Sequence, residues 1–154
     1  MGSEVHMGTM EQGVDFSVLV RSVAPARVFD LLATPDGVNE WFTRSTTIDP
    51  RPGGSIVFRW QDWGPTHFAG EIPGAVVEWS RGTRFVFTWR ADSGGYDTSV
   101  VVTFEPREGG TLVHLTEKGY EDSPVGLQDL LNRAQGWGSV LTLLKFYAEH
   151  GIIY

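Results

Sequence analysis

"AQGWGSVLTLLKFYAEHG", residues Ala134–Gly151, has the spacing of an amphipathic helix and contains two residues that weaken one. Gly136 and Gly138 stand on either side of Trp137. Each glycine inside a helix costs about 1 kcal/mol relative to alanine. Upstream, Ser123 is a suitable N-cap and Pro124 suits the first helical position. Downstream, Gly151 suits the residue after the last turn. The spacing therefore predicts one helix from Pro124 to Glu149, ~39 Å long at ~1.5 Å per residue. Its apolar stripe reads Leu127, Leu130, Leu131, Ala134, Trp137, Val140, Leu141, Leu144 and Ala148. The two glycines lie about 100° to either side of Trp137. Either strands come close to the helix backbone on both flanks, or the small residues leave space beside Trp137 as the wall of a cavity.

The rest of the chain supplies the surface that such a helix needs. "DFSVLVRSV" (Asp15–Val23) alternates as a half-buried strand does. "PARVFDLLA" reads as a helix opened by Pro25, and "TPDG" starts a second short helix, capped by Thr34 and ending near Trp41 and Phe42. The period then changes. "STTID", "GSIVFRW", "HFAGEIPGAVVEW", "TRFVFTWR", "TSVVVTFEP" and "TLVHLTEKG" are rich in β-branched and aromatic residues. Turn segments such as "PRPGG", "SRG" and "REGG" separate them. Pro73 and Gly74 interrupt the third of these strands, so a bulge or an edge position is expected there. A twisted antiparallel meander curls, and a long amphipathic helix in its hollow buries both apolar faces. The expected class is α+β: a curved antiparallel sheet of about seven strands around a long C-terminal helix, with two short helices after the first strand.

Composition narrows the function. The 154 residues fit a single domain, expected over residues 14–154 behind a flexible tail at 1–13. Twelve Lys and Arg against 19 Asp and Glu give a net charge of −7, which disfavours nucleic acid. There is no cysteine, so disulfides and thiolate chemistry are excluded. The N-terminus lacks the pattern of a secretion signal, and no apolar run approaches the ~20 residues of a membrane span. A cytoplasmic protein is expected.

In order along the chain, "APARVFDLLATPDGVNEWF", "PGGSIVFRW", "GTRFVFTWR", "VVVTFEPREGGTLVHLTEKGY" and "GWGSVLTLLKFYAEHG" resemble blocks of the SRPBCC superfamily, the START-like or helix-grip fold. They are most similar to the branch named after the activator of the heat-shock-protein-ninety ATPase. The resemblance covers the chain from about Asp15 to Gly151. It implies a deep apolar pocket between sheet and long helix, holding lipids, polyketides or other hydrophobic molecules. Some members of the superfamily are cyclases or hydrolases of such ligands.

Strand parity supplies the candidate wall. Ile56, Phe58 and Trp60 share one face, as do Phe85, Phe87 and Trp89, then Val100, Val102 and Phe104. Val113, Leu115 and Glu117 share another. The expected ligand-binding residues are Phe58, Trp60, Phe68, Phe87, Trp89, Phe104, Glu117, Trp137 and Leu141, with Glu117 orienting a polar end. Trp63 and Gly64 in "QDWGPT" are placed to cover the mouth of the pocket or simply the core. His67 and Glu71 share parity, and either join Glu117 or both face outward. The cavity is expected to be enclosed, roughly 300–1,000 Å³, beside residues Ala134 to Leu144.

Catalytic signatures are thin. His6, His67, His114 and His150 lack metal-ligand spacing, and "GWGSV" fails both the G-x-S-x-G and the dinucleotide patterns. No catalytic residue, cofactor or metal is expected. The leading reading is a non-catalytic binder of a small hydrophobic, lipid-like or aromatic molecule. The alternatives are a cyclase- or hydrolase-like enzyme and a chaperone-associated interaction module, with a homodimer or chaperone contact left open.

Overall fold

The computed structural model describes residues 8–153. In chain order the elements are β1 (Val14–Val20), α1 (Pro25–Ala33), α2 (Pro35–Trp41), β2 (Thr47–Ile48), β3 (Ser55–Trp63), β4 (Phe68–Ser80), β5 (Arg84–Arg90), β6 (Asp97–Arg107), β7 (Gly110–Lys118) and α3 (Pro124–His150). The seven antiparallel strands form one sheet in the order β1-β7-β6-β5-β4-β3-β2. The helix-grip arrangement read from the sequence is the one observed. The expected N-terminal tail lies partly outside the described residues. From Gly8 onward the chain is held: Met10 N–H donates to the Tyr120 carbonyl at 2.8 Å, and Asp122 N–H donates to the Gly8 carbonyl at 2.8 Å.

The helix ends form as their residues dictate. Thr34 Oγ1 accepts from Gly37 N–H at 3.0 Å to start α2, and Ser123 Oγ accepts from Gly126 N–H at 3.0 Å to start α3. Gly151 closes α3 in the left-handed region at φ 68°, its N–H donating to the Tyr147 carbonyl. The carbonyls of the last turn of α1 have no partner within the helix. Two indoles supply them: Trp41 Nε1 donates to Leu31 O and Trp79 Nε1 to Ala33 O, both at 2.9 Å.

At Pro73 the structure shows the edge alternative rather than a bulge, and on α3 the facing of four residues is revised. The ladder irregularity of β4 lies between Val76 and Glu78 on the β5 side, not at Pro73 and Gly74. Gly74 pairs with Trp89, and Pro73 lies one residue beyond that ladder while still opposite Val57 of β3. The proline thus has a neighbouring strand on one side, and its missing donor disrupts no β5 bond. On α3, Leu127 and Leu131 are exposed, whereas Asp129 and Arg133 are buried. Periodicity alone favoured the leucines; the polar pair goes inward because the sheet side offers it partners.

α3 is fastened near both ends. Toward its start, Asp129 accepts from Ser93 N–H and Oγ at 3.0 and 2.6 Å and from Tyr96 Oη at 2.8 Å. Toward its end, Lys145 Nζ donates to the Leu19 carbonyl and to Glu149, each at 2.5 Å, and Glu149 accepts from Arg21 N–H at 2.8 Å. Along its length the helix backbone runs closest to β1.

Candidate functional site

The segment between these fastenings borders a cavity of about 1020 Å³. One side is α3 from Asn132 to Leu143; the other is built by Trp60 and Trp63 of β3, Phe68 and Ile72 of β4, Trp89 of β5, and Phe42. Phe16 of β1 closes the opposite flank. It stands across from Leu115 in the β1–β7 register and therefore shares the inward face. The volume meets the upper end of the expected range, but the space is a cleft open at one side rather than an enclosed chamber.

The glycines are explained by this space. A Cβ on Gly136 would meet no atom within 4 Å. A Cβ on Gly138 would meet only the Phe16 ring, with Cζ at 3.4 Å. Neither glycine is required by a strand backbone, so the expectation of close packing on both flanks does not hold. Both residues border the cleft and thin the helix on either side of Trp137.

Under the cleft lies a buried polar cluster. Glu117, at the end of β7, is fully buried. Its Oε2 accepts from Trp89 Nε1 at 2.7 Å, Thr98 Oγ1 at 2.5 Å and Arg133 Nη1 at 2.5 Å. Its Oε1 accepts from Trp137 Nε1 at 2.8 Å. Arg133 also donates through Nε to Asp92 at 3.0 Å and through Nη2 to the Arg90 carbonyl at 2.6 Å. Its guanidinium lies 4.3 Å from the centre of the Trp89 ring. Trp89 and Trp137 sit with ring centres 5.5 Å apart, tied to one carboxylate. A buried carboxylate is tolerated when its lone pairs are met and a cation balances it; both conditions hold here. The Tyr120 hydroxyl is buried without a protein partner. Burial, and then the Glu117 charge, hold its ionisation far above the ordinary phenol range.

Of the residues expected to bind ligand, Trp60, Phe68, Trp89 and Trp137 border the cleft. Phe58, Phe87, Phe104, Glu117 and Leu141 are buried behind it. Phe58 and Phe87 back the wall, packing on each other and on Trp89, while Phe104 packs against Phe29 of α1. Glu117 is occupied by protein donors rather than turned to the space. His67 and Glu71 are exposed: His67 contacts Asp62 and Glu71 pairs with Arg59 at 3.2 Å, so neither approaches Glu117. Trp63 stands at the cleft with Pro65. Phe16, Phe42 and Ile72 escaped the sequence reading, as did Arg133. Among the described residues no group of three or more metal-ligating side chains is close enough to hold an ion, and no helix is long and apolar enough to cross a membrane.

The family model described as "Activator of Hsp90 ATPase homolog 1-like protein" matches residues 22–149. Among solved structures, SSP2350 from Staphylococcus saprophyticus is 23% identical, with 93% of this chain and 96% of that one covered at a TM-score of 0.73. The Aha1 dimer from Colwellia psychrerythraea is 18% identical, with 91% and 98% covered at 0.70. DynU16, from the dynemicin biosynthetic locus, is 17% identical at 0.75, with 92% of this chain but 49% of that one covered. Likeness at these identities concerns the fold. No curated protein matches the chain.

Proposed function

This chain belongs to the Activator of Hsp90 ATPase homolog 1-like family, and from that premise we propose that it is a binding domain for a small hydrophobic molecule held in the cleft beside α3. The observation that carries the reading is the aromatic cleft of about 1020 Å³ along a glycine-thinned helix. Binding sites for small molecules are typically concave, apolar and provided with a few polar groups. Here the apolar part is Trp60, Trp63, Phe68, Trp89 and Trp137, and the polar part is the outer edge of α3. A folding protein does not spend two helix glycines and leave large aromatics facing open space for stability alone. Binding without turnover is the favoured form. Of the two carboxylates on the cleft-lining Arg133, Glu117 accepts from four protein donors and Asp92 is paired with Arg133, and among the residues lining the space there is no acid–base pair.

The test is a titration with Nile red, an uncharged dye that brightens in apolar surroundings, on the intact protein and on Gly136→Leu. Leucine at this open position projects into the cleft. Saturable binding by the parent protein, lost in the variant with no loss of stability, is expected. Equal binding by both would remove the cleft as the site.

Self-association is a second reading, favoured by Leu127 and Leu131, exposed one turn apart near the start of α3, and by the dimer named for the Colwellia relative. A concentration series in sedimentation velocity tests it; a single monomer boundary at all concentrations would discard it.

A further inference from the structure

We propose that a second hollow, beside the end of α2, binds a small zwitterion of α-amino-acid size, and that filling it is felt in the main cleft through a shared wall of two rings. The site itself does not depend on the proposed function; its effect on cleft binding rests on that reading.

The hollow has a volume of about 240 Å³. At ~30 Å³ of liquid volume per water it holds about eight waters, or one small amino acid. One side is the last turn of α2 with Phe42, Thr43 and Arg44; the other is Gln61, Asp62, Trp63 and Gly64. The sequence opens this space. Asn39 staples the chain beyond α2: its Oδ1 accepts from Thr43 Oγ1 at 2.6 Å and Thr46 N–H at 3.1 Å, and its Nδ2 donates to the Thr46 carbonyl at 3.2 Å. The loop is then stitched to β3 at Arg59, whose N–H donates to Thr46 Oγ1 at 3.0 Å and whose carbonyl accepts from Arg44 N–H at 2.8 Å. β2 pairs only with Ile56 and Val57. Past Arg59 no described strand lies on this edge, and the ladder irregularity between Trp60 and Trp63 bends β3 there.

Most polar side chains around the hollow are already matched. Asn39 and Thr43 are spent on the loop. Glu40 accepts from Arg27 at 3.1 Å and from Tyr147 Oη at 3.0 Å, and Asp62 contacts His67. Arg44 and Gln61 are the exceptions: both are exposed, and neither side chain has a hydrogen-bond partner among the described residues. They supply donors, one of them a permanent cation whose fork matches a carboxylate. The backbone supplies acceptors. Carbonyls in the last turn of a helix have no partner inside it. Phe42 and Thr43 N–H both return to the Val38 carbonyl and Arg44 N–H goes to Arg59, which leaves the carbonyls of Asn39, Glu40 and Trp41 to meet a donor. The Glu40 and Asp62 carboxylates border the same space. A guanidinium and a group of carbonyl and carboxylate oxygens around one small hollow match a molecule that carries a carboxylate and an ammonium together. Neither half alone satisfies both sets.

Phe42 and Trp63 border the cleft as well as the hollow. Their rings meet edge to face with centres 5.5 Å apart, and Phe42 meets Trp60 in the same way at 5.5 Å. One layer of side chains therefore separates the two spaces. A ligand that fixes these rings from the hollow fixes the wall that a cleft ligand meets from the other side.

The experiment titrates alanine, ethylammonium and propanoate, the last two being alanine without its carboxylate and without its ammonium, into the full ¹⁵N-labelled chain at pH 7 and follows amide resonances. Alanine is expected to shift Arg44 and Gln61 saturably and to bind at least about tenfold more tightly than either half. Arg44→Gln, which keeps the backbone bond to Arg59, should bring alanine down to the affinity of ethylammonium and leave ethylammonium unchanged. No saturable shift at Arg44 or Gln61, alanine no tighter than one of its halves, or undiminished alanine binding in Arg44→Gln overturns the site. Transmission is read at Trp60 and Phe68, which border the cleft and not the hollow, and in Nile red affinity. Alanine should shift both residues and tighten Nile red binding about fivefold, and Nile red should tighten alanine by the same factor. Shifts that end at Phe42 and Trp63 with unchanged Nile red affinity overturn the transmission and leave the site. Alanine binding in a protein that takes up no Nile red removes the proposed cleft function and leaves the site standing.

Discussion

Replacing Glu117 by glutamine keeps the shape of the side chain and removes its charge. The amide oxygen can occupy only one of the two acceptor positions. Placed where Oε2 lies, it keeps Trp89, Thr98 and Arg133 and turns its NH₂ toward Trp137 Nε1, a donor facing a donor. The reverse orientation loses three partners, so the first is adopted. One buried indole N–H then goes unmet, at about 1–3 kcal/mol. Arg133, with a side chain 7% exposed, also loses its fully buried counterion and keeps only the 41% exposed Asp92. Breaking a buried pair from one side costs about 3–5 kcal/mol. Because the amide oxygen still bonds Arg133 and Asp92 stays beside it, the low ends apply, and the loss expected for Glu117→Gln is about 4 kcal/mol, or roughly 8–16 °C in Tm for a chain of this size. Urea unfolding followed by far-UV circular dichroism measures it. Arg133→Gln should cost about as much, and the double variant should cost less than the sum by about 2 kcal/mol or more, because the two groups are partners. A loss below about 1 kcal/mol for Glu117→Gln, or strict additivity, would refute the claim that this cluster supports the fold. Under conditions where the variant is folded, Nile red affinity should be unchanged, since Glu117 is spent on the protein rather than on a ligand.

The glycines give a second test: Gly136→Ala should raise stability by about 0.4–1 kcal/mol, because its Cβ enters open space, and Gly138→Ala by less, because the Phe16 ring must yield. Urea midpoints with unchanged slopes would establish both; a destabilised Gly136→Ala would contradict the open flank. Acid unfolding gives a third. Hydrogen bonds from the Arg21 backbone and Lys145 hold the Glu149 carboxyl below its ordinary value. A carboxyl with a depressed folded value stabilises above its unfolded value, about pH 4.3, and that contribution is lost as pH falls through the folded value. Glu149→Gln should therefore lower stability at neutral pH and flatten the acid side of the stability profile; an unchanged acid limb would refute it.

Much of the fold could be read from periodicity because strand faces have a period of two. That rule put Phe58 with Trp60, Phe87 with Trp89, and Glu117 with Leu115, and all six are buried. It could not tell which buried aromatics meet empty space, since that depends on how far α3 stands from β3 and β4. The cluster around Glu117 was half visible. Asp129, Arg133 and Trp137 recur every fourth residue on α3, a polar line on a face that must be inward to hold Trp137. Hydrophobicity ranks Leu127 and Leu131 above them. The partners that reverse the ranking, Ser93, Tyr96, Asp92 and Glu117, are supplied by tertiary structure.

The two fastenings of α3 divide labour within one helix. Asp129 and Arg133 anchor one part and Lys145 and Glu149 the other, while between them Trp137 makes the one described side-chain hydrogen bond to the sheet. The cleft-facing positions Gln135, Gly136, Ser139 and Thr142 are exposed and thus bear little of the molecule's stability. Ligand preference in this scaffold can drift, or be redirected by design, through a short window of helix whose residues are free to change while the fold that presents them stays intact.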